Sequence, residues 1–211
     1  MIKAVLFDLD GTLVDNMGLH YESLREAVGE RKKIEPIELF LNEGGNAVMI
    51  LSELLSDLNL EEYEIERIFK KKKKIFRKTA AGITMRPEAG KLIRKLRKLN
   101  YKIGLVTGSG MEVVDFHLSS RDRSLFHQII TGDDIEKPKP DPESYVKCAE
   151  ALRVRPEECI VIENAPLGIE SAKSAGMICI ALLSTVTEEY LKRADFVIKN
   201  MAEAEDIIKK L

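Results

Sequence analysis

The chain of 211 residues has no tryptophan, a single glutamine (Gln128) and no excess of charge of either sign. Lys+Arg number 33 and Asp+Glu 35, a net charge of −2, which does not suit a dedicated nucleic-acid binder. No apolar run approaches the ~18 residues of a membrane-spanning helix. The N-terminal run Ala4 to Phe7 meets Asp8 at once, too short for a signal peptide. Cys148, Cys159 and Cys179 show no CxxC spacing, so they read as small core residues of a reducing compartment. A cytoplasmic enzyme or binding protein, monomeric by default, is the class left open. Charged residues at 32 % with little glutamine lean toward a heat-adapted source.

Apolar residues at 45 % are enough to bury a core. Short β-branched runs recur at Ile2–Asp8, Tyr101–Thr107, Gln128–Thr131, Cys159–Glu163, Met177–Leu182 and Asp195–Ile198. Helical patterns lie between most of them. Ala89, Leu92, Ile93, Leu96 and Leu99 mark one helix face; Tyr145, Val146, Ala149 and Leu152 mark another, with Asp141 as N-cap and Pro142 in the first turn. Thr185 and Glu188 have capping-box spacing for a late helix. This alternation predicts an α/β fold, a parallel sheet covered on both faces. Residues 15–82 break the rhythm with helical stripes alone: Val48, Leu51, Leu54, Leu55 and Leu58, then Ile65, Ile68, Phe69, Ile75 and Phe76, with a turn at Gly44-Gly45. They read as a helical insert after the first strand, set over the carboxyl end of the sheet, where ligands bind in such folds. The core is then 1–14 with 83–211.

Four polar clusters stand at predicted strand ends. Asp8 and Asp10 could form a turn, or a nucleophile and a proton shuttle. Thr107-Gly108-Ser109 could cap a helix or hydrogen-bond a phosphate. In Lys137-Pro138-Lys139-Pro140-Asp141-Pro142, the prolines either stiffen a connector or fix where Lys137 projects; in an extended segment Lys139 would point the other way. Glu163-Asn164 could start a helix or offer oxygen to a hard cation. Each cluster alone reads more readily as a turn or cap. A parallel sheet brings all four to one rim, and that coincidence points to an active site.

In order and spacing, Asp8-Leu9-Asp10-Gly11-Thr12, Thr107-Gly108-Ser109, Lys137-Pro138-Lys139-Pro140-Asp141 and Glu163-Asn164 resemble the four motifs of the haloacid dehalogenase superfamily. The insert resembles the helical cap of the subgroup with beta-phosphoglucomutase and phosphoglycolate phosphatase. The resemblance implies a Rossmann-like core with a mobile cap, Asp8 as nucleophile and Asp10 as general acid/base. It implies phosphoryl binding by Thr107, Gly108 and Ser109, with Lys137 neutralising charge. Magnesium would sit on Asp8, the Asp10 backbone carbonyl, and Glu163 or Asn164.

The implied reaction is magnesium-dependent hydrolysis of a small phosphorylated metabolite through an aspartyl phosphate. A phosphosugar mutase is the alternative. In the beta-phosphoglucomutase group an Arg lies in the cap loop that here reads Glu43-Gly44-Gly45-Asn46-Ala47, and Ala47 is its nearest match. A dehalogenase proper lacks the second Asp, and a non-catalytic binding protein is the remaining class.

Many relatives carry Asp where this chain has Asn164. With Asp10 protonated and Lys137 counted in, the loaded site sums to −1 with Asn and −2 with Asp. One charge at ~4 Å and a dielectric of ~20 is worth roughly 4 kcal/mol before solvation. Asn16 and His20, near the cap hinge, are candidates for contact with the leaving group. Lys70–Lys74 reads as a solvated helix face from which one lysine could turn inward.

Overall fold

The computed structural model describes Met1–Leu211. Six parallel strands form one sheet: β1 (Ala4–Phe7), β2 (Lys102–Val106), β3 (Gln128–Ile130), β4 (Cys159–Glu163), β5 (Ile178–Leu182) and β6 (Phe196–Ile198), in the order β3-β2-β1-β4-β5-β6. The strands are apolar except at the ends Lys102, Gln128 and Glu163, because both faces are covered. Val5, Phe7, Ile103, Leu105, Ile160 and Ile162 turn to one face and join one buried cluster. Ala4, Leu6, Val106, Cys159 and Val161 turn to the other and join a second. Burying one such large side chain contributes about 1.5–3 kcal/mol.

The insert holds helices α1 (Met17–Val28), α2 (Pro36–Phe40), α3 (Ala47–Leu54) and α4 (Glu62–Thr79). They pack round a third cluster, with Leu24, Leu51, Leu55, Ile65 and Ile68 at its centre. The chain leaves and re-enters the sheet layer at adjacent points: Arg86 N–H donates to the Leu13 carbonyl at 2.8 Å, and Val14 bridges Met85 antiparallel. After it come α5 (Pro87–Lys98), α6 (Met111–His117), α7 (Ser120–Arg123), α8 (Glu143–Ala151), α9 (Pro166–Ser174) and α10 (Met201–Ile208). In α5, Pro87 opens the helix and Ala89, Leu92, Ile93 and Leu96 make the buried face. No helix is long and apolar enough to cross a membrane, and all three cysteines are buried free thiols.

The α/β class and every expected strand are present, each within two residues of its expected ends. Two local expectations fail. The helix expected to open at Pro142 has Pro142 as its N-cap and begins at Glu143, although Asp141 Oδ1 does accept from Glu143 N–H at 3.0 Å. The late helix capped by Thr185 is only a single turn, Glu188–Tyr190, because the Thr185 hydroxyl faces Asn164 instead. The strand order reverses direction between β1 and β4, so their carboxyl ends open into the crevice where ligands bind in doubly wound sheets.

Candidate active site

Asp8 follows β1 directly and is 5 % exposed. Its Oδ1 accepts from Lys139 Nζ at 2.8 Å; its Oδ2 is buried without a partner. Burial raises the Asp8 carboxyl to about 8, Glu163 pushes the same way, and Lys139 only partly opposes them. Glu163 ends β4, and all of its bonds are made within the protein. Oε1 accepts from Lys139 Nζ at 2.7 Å and from the Tyr145 hydroxyl at 3.0 Å; Oε2 accepts from the backbone N–H of Asn164 and Ala165. Gly168, one turn into α9, leaves room for this carboxylate: a Cβ there would stand 1.7 Å from Oε1.

The lysine of this site is Lys139, not Lys137, which corrects the sequence expectation. Lys137 is exposed, and its backbone N–H is held by Glu143 Oε2 at 2.8 Å. The proline-rich segment is not extended. Asp141 N–H donates to the Pro138 carbonyl at 3.0 Å, closing a turn that drives the Lys139 side chain inward to 1 % exposure. Burial works against its charge, but Asp8 and Glu163 together hold its ammonium above the ordinary lysine range.

Asp10 is held on both oxygens. Asn16 Nδ2 donates to Oδ1 at 2.6 Å and Ser109 Oγ to Oδ2 at 2.8 Å; His20 Nε2 stands 3.5 Å from Oδ1. Burial alone would raise this carboxyl, but the nearby His20 ring and the bonds from Asn16 and Ser109 bring it well below the usual range. Asn16 and His20, expected against the leaving group, thus both face Asp10. Behind them stand His117, which the sequence reading misses, and Lys72, which it does not single out from its run. His117 Nε2 lies 3.2 Å from the Asn16 amide, and its Nδ1 lies 2.8 Å from the Ile83 carbonyl, which makes Nδ1 the protonated nitrogen. Lys72 Nζ reaches His20 Nδ1 at 2.8 Å. Lys72 is the member of the Lys70–Lys74 run that turns in, and burial lowers it to about 8.

Thr107 closes β2, and its Oγ1 accepts from Ser109 N–H at 3.0 Å. Gly108 lies against the cap loop: a Cβ there would meet the Gly44 carbonyl at 2.6 Å, so cap and sheet edge touch at this point. Asn164 is fully buried. Its Oδ1 accepts from Thr12 Oγ1 at 2.8 Å, and its Nδ2 donates to Thr185 Oγ1 at 2.8 Å and to Glu43 Oε2 at 3.1 Å. Burial and the carboxylates Asp8, Asp10 and Glu163 push Glu43 well above its ordinary value.

Asp8 and Glu163 therefore share the Lys139 ammonium, and Asp10 and Glu43 lie close enough for the four carboxyl groups to repel one another. The unpartnered Asp8 Oδ2 and this excess of negative charge fit a divalent cation. Both oxygens of Glu163 accept two bonds each, whereas Asn164 Oδ1 accepts one, from Thr12.

Above Asp8, Asp10 and Thr107 lies a cavity of about 230 Å³, roofed by the inserted helices.

Residues 5–182 match the family described as haloacid dehalogenase-like hydrolase. The chain is 29% identical to validoxylamine A 7'-phosphate phosphatase of Streptomyces hygroscopicus subsp. limoneus, over 96% of each chain. It is 29% identical to hexitol phosphatase A of Escherichia coli (strain K12), over 95% of this chain and 92% of that one. The crystal structure of beta-phosphoglucomutase from Clostridium difficile superposes with a TM-score of 0.86 at 27% identity, covering 100% of this chain and 96% of that one. The chain belongs to the haloacid dehalogenase-like hydrolases, and it is an enzyme of the branch that holds the phosphatases and beta-phosphoglucomutase.

Proposed function

We propose that the protein is a magnesium-dependent phosphatase of small organic phosphomonoesters, working as a single chain in the cytoplasm, with residues 15–82 as a cap that closes over the substrate. The observation that carries this reading is the pairing of two unlike carboxyls. Asp8 keeps one oxygen on Lys139 and one uncommitted. Asp10, two residues on, is fixed by bonds from Asn16 and Ser109, with the His20 ring beside it.

A carboxylate oxygen of Asp8 attacks phosphorus, the ester P–O bond breaks, and the departing alkoxide takes a proton from Asp10. Water then attacks the phosphorus of the aspartyl phosphate, giving its proton to Asp10 and releasing Asp8. The bonds round Asp10 favour its ionised form, ready for the second step. Entry of a phosphate dianion beside it favours the protonated form needed in the first. Thr107 and the backbone at Gly108 bind phosphoryl oxygens, Lys139 offsets their charge, and Ser109 positions Asp10. Asp8, the Asp10 backbone carbonyl and Asn164 would hold magnesium, which when bound supplies positive charge against the transferring oxygens.

Hydrolysis is favoured over mutase chemistry because a second phosphate needs free cations in the cap. Ala47 is the nearest match to the Arg of the mutase group, Lys73 and Arg77 are both bound to Glu112, and Lys72 is bonded to His20. Incubation with beta-glucose 1-phosphate is expected to yield free phosphate; glucose 6-phosphate would support the mutase. The central test is para-nitrophenyl phosphate with magnesium: turnover by the native enzyme, and a loss of roughly 10⁴-fold or more in Asp8→Asn. A native enzyme without turnover on a broad ester panel would overturn the proposal.

A further inference from the structure

The walls of the cavity away from Asp8 are apolar. Leu24, Ile50, Leu51, Leu54, Phe69 and Phe76 line them. The polar side chains that also reach the cavity are mostly spoken for: Glu43 is bonded to Asn164, Ser109 to Asp10, and Lys73 and Arg77 to Glu112. His20 lies between Lys72 and Asp10 and stacks on Phe76 at 4.0 Å between ring centroids. Inside the cavity the buried Lys72 keeps spare donor capacity, since one bond to His20 uses one of its three N–H groups; the further N–H groups of Lys73 and Arg77 lie at the half-exposed rim.

A polyol leaving group would bring several hydroxyls into this space, and most would lose water without gaining a partner. An apolar body would lose nothing there. The volume of about 230 Å³ exceeds the roughly 150 Å³ in which a buried apolar cavity can hold benzene. It therefore admits a single ring or a branched alkyl group beside the phosphoryl group.

Building on the phosphatase reading, we propose that the substrate is the phosphomonoester of an alcohol with an apolar body about one ring in size, carrying at most one hydrogen-bond acceptor beside Lys72. This departs from the substrate class in the name of the similar hexitol phosphatase A.

The test compares kcat/KM for benzyl phosphate and cyclohexylmethyl phosphate with that for glucose 6-phosphate and sorbitol 6-phosphate, by phosphate release with magnesium. All four are esters of primary alcohols, so their intrinsic reactivity is similar. The apolar esters are expected to be preferred by about tenfold or more. In Ile50→Ser, which gives the wall a hydroxyl, that ratio is expected to fall several-fold. Equal or faster turnover of the polyol esters overturns the inference and leaves the phosphatase reading standing. No release from any ester, para-nitrophenyl phosphate included, overturns the phosphatase reading and this inference with it.

Discussion

The floor and the roof of the cavity are built on different principles. The floor comes from strand ends: Asp8 and Asp10 after β1, Thr107 after β2, Glu163 and Asn164 at β4. Its polar groups are buried, and nearly all are bonded to one another. The roof comes from helix faces, whose side chains contact few polar partners and leave open space. A floor of that kind tolerates almost no substitution, because each removal strands a buried charge or dipole. A roof of apolar side chains can change without unfolding the sheet, so selectivity can vary while the chemistry stays fixed.

The sharpest way to break this contrast is to remove the floor's only ammonium held between two carboxylates. Lys139→Ala leaves Glu163 and Asp8 buried without a cation. Without magnesium it is expected to lose about 3–5 kcal/mol of stability in urea denaturation. Lys137→Ala, two residues away on the surface, is expected to stay within about 0.5 kcal/mol. Equal effects from the two would refute the placement of Lys139.

Asn164→Asp probes the same floor in the opposite direction. The added carboxylate is expected to tighten magnesium binding, by no more than the roughly 4 kcal/mol that one extra charge supplies at ~4 Å and a dielectric of ~20. Without magnesium the same variant is expected to be less stable than the native chain. The new carboxylate would face Glu43 where an amide N–H now donates. A magnesium titration by calorimetry, paired with metal-free thermal unfolding, measures both; unchanged or weaker binding would count against this metal site.

Between floor and roof stands His20, which burial and the nearby Lys72 lower from 6.5 to about 4. An unfolded histidine takes up its proton near pH 6.5, whereas the folded one stays neutral until about pH 4. The unfolded state therefore binds more protons in that window, and stability falls as pH drops through it. The loss is expected to reach at most about 3 kcal/mol by pH 4. His20→Gln should flatten this limb in urea titrations at pH 7, 5.5 and 4, and the slope that survives belongs to other groups such as His127, also lowered by burial.

How much of this was legible in the sequence follows the same division. Strand ends could be read because short continuous apolar runs stop at polar residues, and a parallel sheet sends every such end to one rim. Asp8, Asp10, Thr107 and Glu163 were found that way. Lys139 was missed because the alternation rule assumes extended backbone, and the chain turns at Pro138–Asp141. Tyr145 reads as one more apolar residue of α8, although its hydroxyl is one of the four donors that fix Glu163. Lys72, within a run of five lysines, carries no local mark that separates it from its neighbours; only the packing of α4 against α1 turns it toward His20. Thr185 fitted a capping pattern, but a buried amide across the site claimed its hydroxyl.

The smallest expected effect lies at the rim, where Glu112 on α6 binds Lys73 and Arg77 on α4. These pairs are half-exposed, so Glu112→Gln should change stability by less than about 1 kcal/mol. Its effect on recognition should be easier to see. The substitution frees two cations at the rim of a roof whose inward lysine, Lys72, is bonded to His20, and so adds a site for a second anion. For a substrate with a second phosphate, such as glucose 1,6-bisphosphate, KM is expected to fall a few-fold in low salt, and the gain should fade as salt screens it. For benzyl phosphate, which has no second anion to meet them, KM should hardly move. An equal change for both substrates would mean that Glu112 acts on cap closure as a whole and not by neutralising the two cations.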